Sequence, residues 1–352
     1  MQVMQALRVQ IESGALAGGT YLPAVRKLSK AYGVAANTVL RAVRMLIEQG
    51  LLEAQPRRGY FILESKPAAA SFAYLMSTQN IYAGFDALYK RLMQDFRSCS
   101  GERGEHCTTI VLNPGDERHT VEQHGLERVN GLVLDTPNEF LIAWARRQKI
   151  ATVLIDDVDP RRRVPAAVQD NFEGGMRAAE HLAAAGCSRI AWFGKSLDHH
   201  HAQARYGGAA AGLAAAGRSF ASEHFLPADA WEHPGLLERA AREMLEQRPD
   251  GVLAFWLPMA AAVAAAARSL GLKIGTDFRF TGWVCEELYE SSYAPLFEAE
   301  VPPAVVWSSR RMAELALAAL RAAPEFSDGA AAAMLVPCAL RLRRSEADRD
   351  SA

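Results

Sequence analysis

The chain has 352 residues, of which 50% are apolar, and a formal net charge of −1. This length allows two or three folding units and a large buried core. Its five cysteines are scattered without C-x-x-C spacing, which fits neither a disulfide framework nor a zinc ribbon. No apolar run is long enough to span a membrane and no signal-peptide pattern opens the chain, so we expect a cytoplasmic protein without a membrane partner.

Charge is divided unevenly along the chain. Residues 1–66 carry nine Lys and Arg against four Glu, whereas the rest carries 30 Lys and Arg against 36 Asp and Glu. The first segment is therefore basic and the remainder acidic. A basic segment gains affinity for nucleic acid because its binding releases counterions from the phosphates of the nucleic acid. Charge alone more often marks a solvated surface, so this interpretation depends on where the basic residues fall.

Residues 11–62 are typical of a winged helix-turn-helix. Leu22-Pro23 opens a short helix that Gly33 ends, and a second helix begins near Ala36. At 100° per residue, one side of that second helix is apolar and consists of Val39, Val43, Leu46 and Ile47. The opposite side carries Asn37, Thr38, Arg41 and Arg44. We therefore expect one side of the helix in a core and the other facing DNA.

A basic hairpin follows this helix. The segments 51–54 and 60–62 have the pattern of two short strands, and the turn between them contains Arg57, Arg58 and Gly59. Such a hairpin is the wing of a winged helix. The residues that we predict to contact DNA are Arg26, Lys27, Asn37, Thr38, Arg41, Arg44, Arg57, Arg58 and Gly59.

This segment resembles the GntR family of bacterial regulators over its first 62 residues. The family pattern is present as Gly14-Ala15-Leu16, Gly19, Leu22-Pro23, Arg26, Leu28, Gly33-Val34, Thr38-Val39, Leu46, Gly50-Leu51-Leu52 and Gly59-Tyr60-Phe61. The chain departs from the family at Ala35, Ala36 and Leu40, where a capping hydroxyl and two basic residues are usual. Losing the cap costs about 1 kcal/mol. The resemblance implies that the protein binds duplex DNA as a homodimer. Because of these departures, its operator sequence cannot be taken from that of its relatives.

A short segment with one proline and no apolar periodicity separates this module from the rest. We predict a DNA-binding domain over 1–65, a linker over 66–71 and a second domain over 72–345. Apolar runs in the second domain fall at 72–76, 109–112, 131–134, 151–155, 189–193, 251–255 and 278–282. Helical patterns lie between them at 86–97, 139–148, 174–185, 204–216, 236–246 and 259–270. This alternation predicts an α/β domain with parallel sheets.

Strings in this region are similar to the LacI/GalR-type effector domain, which is itself related to periplasmic binding proteins. They are Asn130-Gly131-Leu132-Val133-Leu134, Asp170-Asn171, Gly174-Gly175, His181-Leu182, Gly186 and Arg205-Tyr206-Gly207-Gly208. The resemblance implies two Rossmann-like lobes that close around a small molecule. It places lobe 1 at 72–157 and 309–328, lobe 2 at 165–303 and 335–345, and the crossovers near 157–165, 304–308 and 328–335.

Ligands of such folds bind at the carboxyl ends of the strands. The residues that we predict there are Ser77, Thr78, Asp135, Asp157, Asp170, Arg205, Trp256, Trp283 and Trp307. Asp170 and Arg205 match family residues that contact effectors, although an Asp and an Arg are as often a structural pair. The tryptophans are equally consistent with stacking on a ligand and with an ordinary core.

The sequence favours no cofactor, metal or enzyme activity. His199-His200-His201 has no Cys, Asp or Glu spacing to complete a metal site, and we expect a solvated loop there. No G-x-S-x-G, phosphate-binding loop or paired-carboxylate pattern is present. The main alternative is a GntR-type regulator fused to a pyridoxal-phosphate domain, which needs a Schiff-base lysine, and only Lys90, Lys149, Lys195 and Lys273 follow the linker. A second alternative is a regulator whose cleft no longer binds a ligand.

We therefore predict a transcriptional regulator, most simply a repressor, controlled by a small molecule and dimeric through helices near 86–96 and 310–320. The resemblance implies a sugar as the effector. Leu257 and Val284, however, stand where relatives carry carboxylates that accept hydroxyl hydrogen bonds. We expect a ligand with fewer hydroxyls and a flat or apolar face.

Overall fold

The chain divides into two compact units, residues 1–70 and 71–352, in a computed structural model. The structure describes residues 2–12, 16–17, 19–48, 51–56, 58–63, 70–80, 86–227, 230, 233–298, 300–322 and 331–342. Within those ranges, each helix is too short or too polar to cross a bilayer.

The first unit is a three-helix domain with a β-hairpin. Its elements are α1 (Gln2–Glu12), α2 (Val25–Tyr32), α3 (Ala36–Glu48), β1 (Leu52–Gln55) and β2 (Gly59–Ile62). Gly33 ends α2 in the left-handed conformation, with φ of 62°, which glycine adopts without steric cost. The strands are antiparallel, with Leu52 opposite Ile62. The predicted helix-turn-helix and wing are confirmed.

The apolar side of α3 forms the centre of this unit. Val39, Val43 and Leu46 are fully buried and pack with residues of the other two helices and the hairpin. α2 begins at Val25, whereas the sequence predicted a start at Leu22-Pro23. The reason is that the Leu22 N–H donates to the Tyr60 carbonyl at 2.8 Å, so this segment is extended along the wing.

The second unit contains two six-stranded sheets, one in each lobe. The sheet of lobe 1 is parallel throughout, with strand order β13-β7-β6-β5-β3-β4. Its strands are β3 (Ser71–Ser77), β4 (His106–Leu112), β5 (Gly131–Leu134), β6 (Ala151–Ile155), β7 (Ala166–Gln169) and β13 (Ala333–Val336). The helices of this lobe are α4 (Thr78–Asn80), α5 (Asp86–Gly101), α6 (Glu117–His124), α7 (Glu139–Gln148) and α12 (Ser309–Ala322).

The sheet of lobe 2 has strand order β14-β12-β11-β10-β8-β9, and only its edge pair β12 and β14 is antiparallel among the paired strands described. Its strands are β8 (Ile190–Lys195), β9 (Ser222–Leu226), β10 (Gly251–Ala254), β11 (Arg279–Cys285), β12 (Ala304–Trp307) and β14 (Ala339–Arg341). Its helices are α8 (Asn171–Ala184), α9 (His200–Ala215), α10 (Pro234–Glu246) and α11 (Leu257–Ser269). Single helical turns over 286–296 connect β11 to β12.

The α/β class with two mainly parallel sheets is confirmed, but the crossovers differ from the prediction. Residues 166–169 form β7 of lobe 1, so the first crossover comes after Gln169 and not at 157–165. Residues 304–307 form β12 of lobe 2, and 333–336 form β13 of lobe 1. Each of these segments pairs fully with a neighbouring strand, which satisfies backbone groups that a bare connection would leave unpaired. The lobes therefore exchange chain at 170, 308 and 337–338.

Glycines bring α8 and α9 into backbone contact. A Cβ on Gly208 would lie 2.0 Å from the Phe172 carbonyl oxygen, and one on Gly175 would lie 2.3 Å from the Arg205 carbonyl oxygen. Only glycine fits at such distances. This close approach places Arg205 of α9 against the start of α8, at the end of the sheet that faces lobe 1.

Candidate functional site

The predicted cleft residues lie at the carboxyl ends of the strands. In lobe 1, Ser77 ends β3, Thr78 begins α4, and Asp135 and Asp157 follow β5 and β6. In lobe 2, Asp170 precedes α8, Arg205 lies on α9, Trp256 follows β10 and Trp283 lies within β11. Trp307 ends β12, next to a crossover. The fold thus brings these residues to the facing ends of the two sheets.

Arg205 is the centre of a buried polar network. Its side chain is 4% exposed. Nε donates to Asn171 Oδ1 at 2.7 Å, Nη2 donates to Gln169 Oε1 at 3.0 Å, and Nη1 donates to the Phe255 carbonyl. A guanidinium has five N–H donors, so three are used within the protein. Burial lowers the pKa of Arg205 to about 10, and the group remains a cation at neutral pH.

Gln169 connects this network to lobe 1. Its Oε1 accepts a second hydrogen bond from Trp283 Nε1 at 2.7 Å, and its Nε2 donates to Asp156 Oδ1 at 2.7 Å. Burial raises the pKa of Asp156, but contacts with His201, Gln169 and Arg205 outweigh it and the pKa is lowered overall. Asp156 is therefore an ionised carboxylate in the cleft. Sequence reasoning named neither Gln169 nor Asp156, because both act only through this three-dimensional network.

The three tryptophans are core residues, and two of them, Trp256 and Trp283, lie against the arginine. Trp256, Trp283 and Trp307 are 8%, 3% and 2% exposed. The Arg205 guanidinium carbon lies 4.7 Å from the ring centre of Trp256 and 4.2 Å from that of Trp283, which is cation–π geometry. Of the two interpretations left open by the sequence, the structure favours the core for all three rings.

Asp135 holds together two loops of lobe 1. The Ser77 backbone N–H donates to Oδ1 and Oδ2 of Asp135 at 2.9 and 3.2 Å. The carboxyl is 1% exposed, and burial raises its pKa to about 7 in spite of hydrogen bonds from Ser77 and Asn80. A carboxyl with this pKa changes charge near neutral pH.

Asp170 lies at the amino end of α8, where its Oδ1 accepts from the Glu173 backbone N–H at 3.2 Å. It is a helix cap, and no hydrogen bond or ion pair joins it to Arg205 in the described part of the chain. The Arg205 partner on this helix is its neighbour Asn171. The structural pairing of Asp170 with Arg205, which the sequence left open beside effector contact, is therefore not a hydrogen bond.

The histidine triplet is not a solvated loop. His199 is exposed, but His200 and His201 form the first turn of α9 and are partly buried. His200 Nδ1 lies 3.2 Å from Asp157 Oδ1, and His201 Nε2 lies 3.6 Å from Asp156 Oδ1. His200 and His201 are partly buried because the first turn of α9 lies beside the cleft. No three His, Cys, Asp or Glu side chains of the described residues are arranged to hold a metal ion.

The predicted DNA-contact residues form an exposed surface of the first unit. Arg26 and Lys27 lie on the outer side of α2, and Gly59 and Arg58 lie at the wing. On α3 the exposed residues are Asn37, Thr38, Arg41 and Arg44. Arg57 is outside the described residues. These side chains are positioned on the opposite side of α3 from the buried stripe, as the helical spacing predicted.

The helices predicted for dimer contacts pack on each other. α5 and α12 are neighbours in lobe 1, where Arg310 of α12 pairs at 2.7 Å with Glu102, the residue that follows α5. Asp95 accepts hydrogen bonds from Ser309 and from Arg91. The outer sides of the two helices thus form one continuous surface.

Sequence comparisons identify both parts of the chain. Residues 1–62 match the family described as bacterial regulatory proteins, gntR family, and residues 179–345 match the periplasmic binding protein-like domain. An HTH-type transcriptional regulator of Mycobacterium tuberculosis is 46% identical over 63 residues, which are 18% of this chain and 52% of that protein. The chain therefore spans about half the length of this relative.

Structural comparisons agree for the second unit. A LacI family regulator from Enterococcus faecium with bound ribose superposes with a TM-score of 0.62 and 16% identity, over 78% of this chain and 98% of that one. The lac repressor dimer bound to operator and an anti-inducer superposes with a TM-score of 0.62 and 18% identity, over 80% of this chain and 95% of that one. At these identities the likeness concerns the fold. The chain therefore combines an N-terminal segment similar to the gntR family with a second unit that is similar to periplasmic binding protein-like domains and has the fold of these solved structures.

Proposed function

We propose that this protein is a DNA-binding transcriptional regulator, acting as a repressor, whose DNA affinity is controlled by a small molecule in the cleft of the second unit. The observation that carries the proposal is the presence in one chain of an exposed basic α3 and a two-lobed cleft. The first element provides contact with DNA. The second provides a conformational equilibrium that a ligand shifts.

The exposed side of α3 is suited to the major groove. Arg41 and Arg44 lie one turn apart on it, and arginine is the side chain that most often reads guanine edges. Arg58 at the wing is placed for the phosphate backbone, which fixes orientation without reading sequence. Ala36 and Leu40 lack the basic groups usual in the family, so specificity depends on the two remaining arginines of α3.

The effector site lies where the lobes meet, around Arg205 and the carboxylates of Asp156 and Asp157. Two guanidinium N–H groups and the carboxylate oxygens suit a small polar ligand. The ribose bound to the Enterococcus regulator supports a sugar. Leu257 and Val284 offer no hydroxyl acceptors, which supports a ligand with fewer hydroxyl groups than a hexose. Because Arg205 covers the inner tryptophan rings, the ligand contacts polar groups and not an exposed indole.

A homodimer is the assembly that this function requires. A single winged helix covers little DNA, and two copies related by a twofold axis read a palindromic operator. The joint surface of α5 and α12 is the interface that we propose. Light scattering at micromolar concentration is expected to give twice the chain mass, and a monomer that binds a half-site as tightly as the full palindrome contradicts the dimer.

Selection of genomic fragments by the purified protein tests the proposed function. We expect enrichment of a palindromic sequence by the wild type and loss of that enrichment in Arg41→Ala. Arg239→Ala removes one charge from an exposed site on α10 of the second unit and serves as the matched control. Enrichment that is equal in all three proteins contradicts DNA reading by α3. Thermal-shift measurements with sugars and small carboxylic acids then find the effector, and a cleft that has lost ligand binding gives no shift.

A further inference from the structure

Lobe 2 contains a second cavity, at the end of its sheet that faces away from lobe 1. This distal cavity has a volume of about 250 Å³, and its walls are the last turn of α8, the loop before β11, the amino ends of β11 and β12, and the residue that follows β14. α8 extends from the cleft, where Asn171 contacts Arg205, to the distal cavity, which His181 lines. At a rise of about 1.5 Å per residue, these two positions of α8 are about 15 Å apart. The distal cavity is therefore separate from the effector cleft.

Two nitrogen-bearing side chains of the distal cavity are available to a ligand. Arg279, the first residue of β11, is exposed, and His181 is half-buried. Among the residues that the structure describes, none forms a hydrogen bond or an ion pair with either side chain. Burial, and then the charge of Arg279 beside it, lower the pKa of His181, so the ring is neutral at neutral pH and retains one N–H. Arg279 and His181 therefore offer donors to an anionic group.

The remaining walls of the distal cavity provide one carboxylate and an apolar surface. Glu300 precedes β12 and already interacts with another group of the chain, but a carboxylate has about four acceptor sites and can accept a further hydrogen bond. Ile274, Phe280 and Leu342 supply apolar contacts, and Leu342 is 59% exposed. An apolar group in the cavity removes this side chain from water, which is favourable. The volume lies just below the range of about 300–1,000 Å³ for drug-sized ligands, which favours a small molecule.

We propose that the distal cavity binds a small zwitterion with an apolar side chain, which is the chemistry of an apolar α-amino acid. The ligand carboxylate accepts hydrogen bonds from Arg279 and His181, and its ammonium group donates to Glu300. Its side chain lies against Phe280 and Leu342. A ligand with only one charge leaves either the guanidinium or the carboxylate of the cavity without a counter-charge, so the zwitterion is the better match. The site does not depend on the effector in the cleft or on DNA binding.

Isothermal titration calorimetry of the full chain at neutral pH tests the site with a matched set of ligands. The probes are L-leucine and L-phenylalanine, together with isocaproate, which is leucine without its amino group, and isoamylamine, which is leucine without its carboxylate. We expect at least one of the amino acids to bind. Isocaproate and isoamylamine are each expected to bind about 10- to 100-fold more weakly than leucine, because each lacks one charged contact. Failure of both amino acids to bind at millimolar concentration overturns the proposal.

Substitutions at the two charged side chains locate the bound amino acid in the distal cavity. R279Q and E300Q are each expected to weaken its binding by about 10- to 100-fold. E300Q is expected not to weaken the binding of isocaproate, which has no ammonium group, whereas R279Q weakens it. R239Q changes an exposed arginine of α10 and is the matched control, with wild-type binding of every probe. Amino-acid binding that R279Q and E300Q leave at the wild-type level, or that R239Q weakens equally, overturns the proposal.

Discussion

Asp135 makes the stability of the second unit depend on pH. Its carboxyl is 1% exposed and has a pKa raised from 3.8 to about 7, mainly by burial. In the unfolded chain the group ionises at 3.8, whereas the folded chain keeps its proton until about pH 7. Because the pKa is higher in the folded state, Asp135 does not destabilise the fold below pH 3.8. The destabilisation grows as the pH rises to about 7 and stays constant above it.

The substitution Asp135→Asn removes this pH-dependent destabilisation. A shift of about three pKa units corresponds to about 4 kcal/mol at 1.36 kcal/mol per unit. Asparagine keeps an oxygen for the Ser77 N–H, but its amide places a donor where Oδ2 was 3.2 Å from that N–H, which costs about 1–3 kcal/mol at every pH. The pH-dependent part is therefore the informative one. Relative to the wild type, we expect Asp135→Asn to gain about 3–4 kcal/mol between pH 4 and pH 8.

Urea unfolding of both proteins at several pH values, followed by tryptophan fluorescence, measures the difference. Groups common to both proteins cancel in it. Asp116→Asn alters an exposed carboxyl of the same lobe and serves as the control for the loss of one carboxylate. The reasoning about Asp135 is refuted if the Asp135→Asn difference changes no more with pH than that of the control, or if it falls as the pH rises.

Five further substitutions test the other parts of the structure. Arg41→Ala is expected to reduce the preference for the selected duplex over a random one by about 1–3 kcal/mol. Arg58→Ala is expected to weaken binding to all sequences alike and to lower the slope of log affinity against log salt concentration by about one. Anisotropy titrations on selected and random duplexes measure both effects. Gly208→Ala places a Cβ 2.0 Å from a carbonyl of α8 and is expected to destabilise the second unit by about 1–3 kcal/mol or more, whereas Gly207→Ala, whose nearest neighbour is 3.8 Å away, leaves the melting temperature nearly unchanged. Trp283→Phe removes a hydrogen bond to Gln169 and is expected to cost about 1–3 kcal/mol in urea unfolding; a loss below about 0.5 kcal/mol contradicts the importance of that bond.

Local signals in the sequence predict most of the first unit. Gly33 fixes the end of α2, and the spacing of Val39, Val43 and Leu46 fixes which side of α3 is buried. The start of α2 was wrong because the pairing of Leu22 with the wing is a contact between residues distant in the chain. Such pairing has no local pattern.

The same distinction holds for the cleft. Strand ends and family motifs predicted that Asp135, Asp157 and Arg205 lie at the facing edges of the sheets, and they do. The prediction places residues 166–169 in lobe 2, but they pair with β6 as a strand of lobe 1. All four residues are buried and lack alternation, as is common in parallel sheets, so the sequence does not show to which sheet they belong. Gln169 and His201 acquire their roles from partners on other elements, so no spacing along the chain identifies them.

The coupling of cleft to DNA is tested most directly by operator affinity in the presence of a cleft ligand. The duplex selected from the genome is titrated with the full chain by fluorescence anisotropy at fixed salt, with and without the sugar or carboxylic acid that raises its melting temperature. Coupling free energies of about 1–3 kcal/mol are usual between allosteric sites. We expect the ligand to weaken operator binding by about 5- to 150-fold. An operator affinity that stays the same at saturating ligand contradicts control of DNA binding by the cleft.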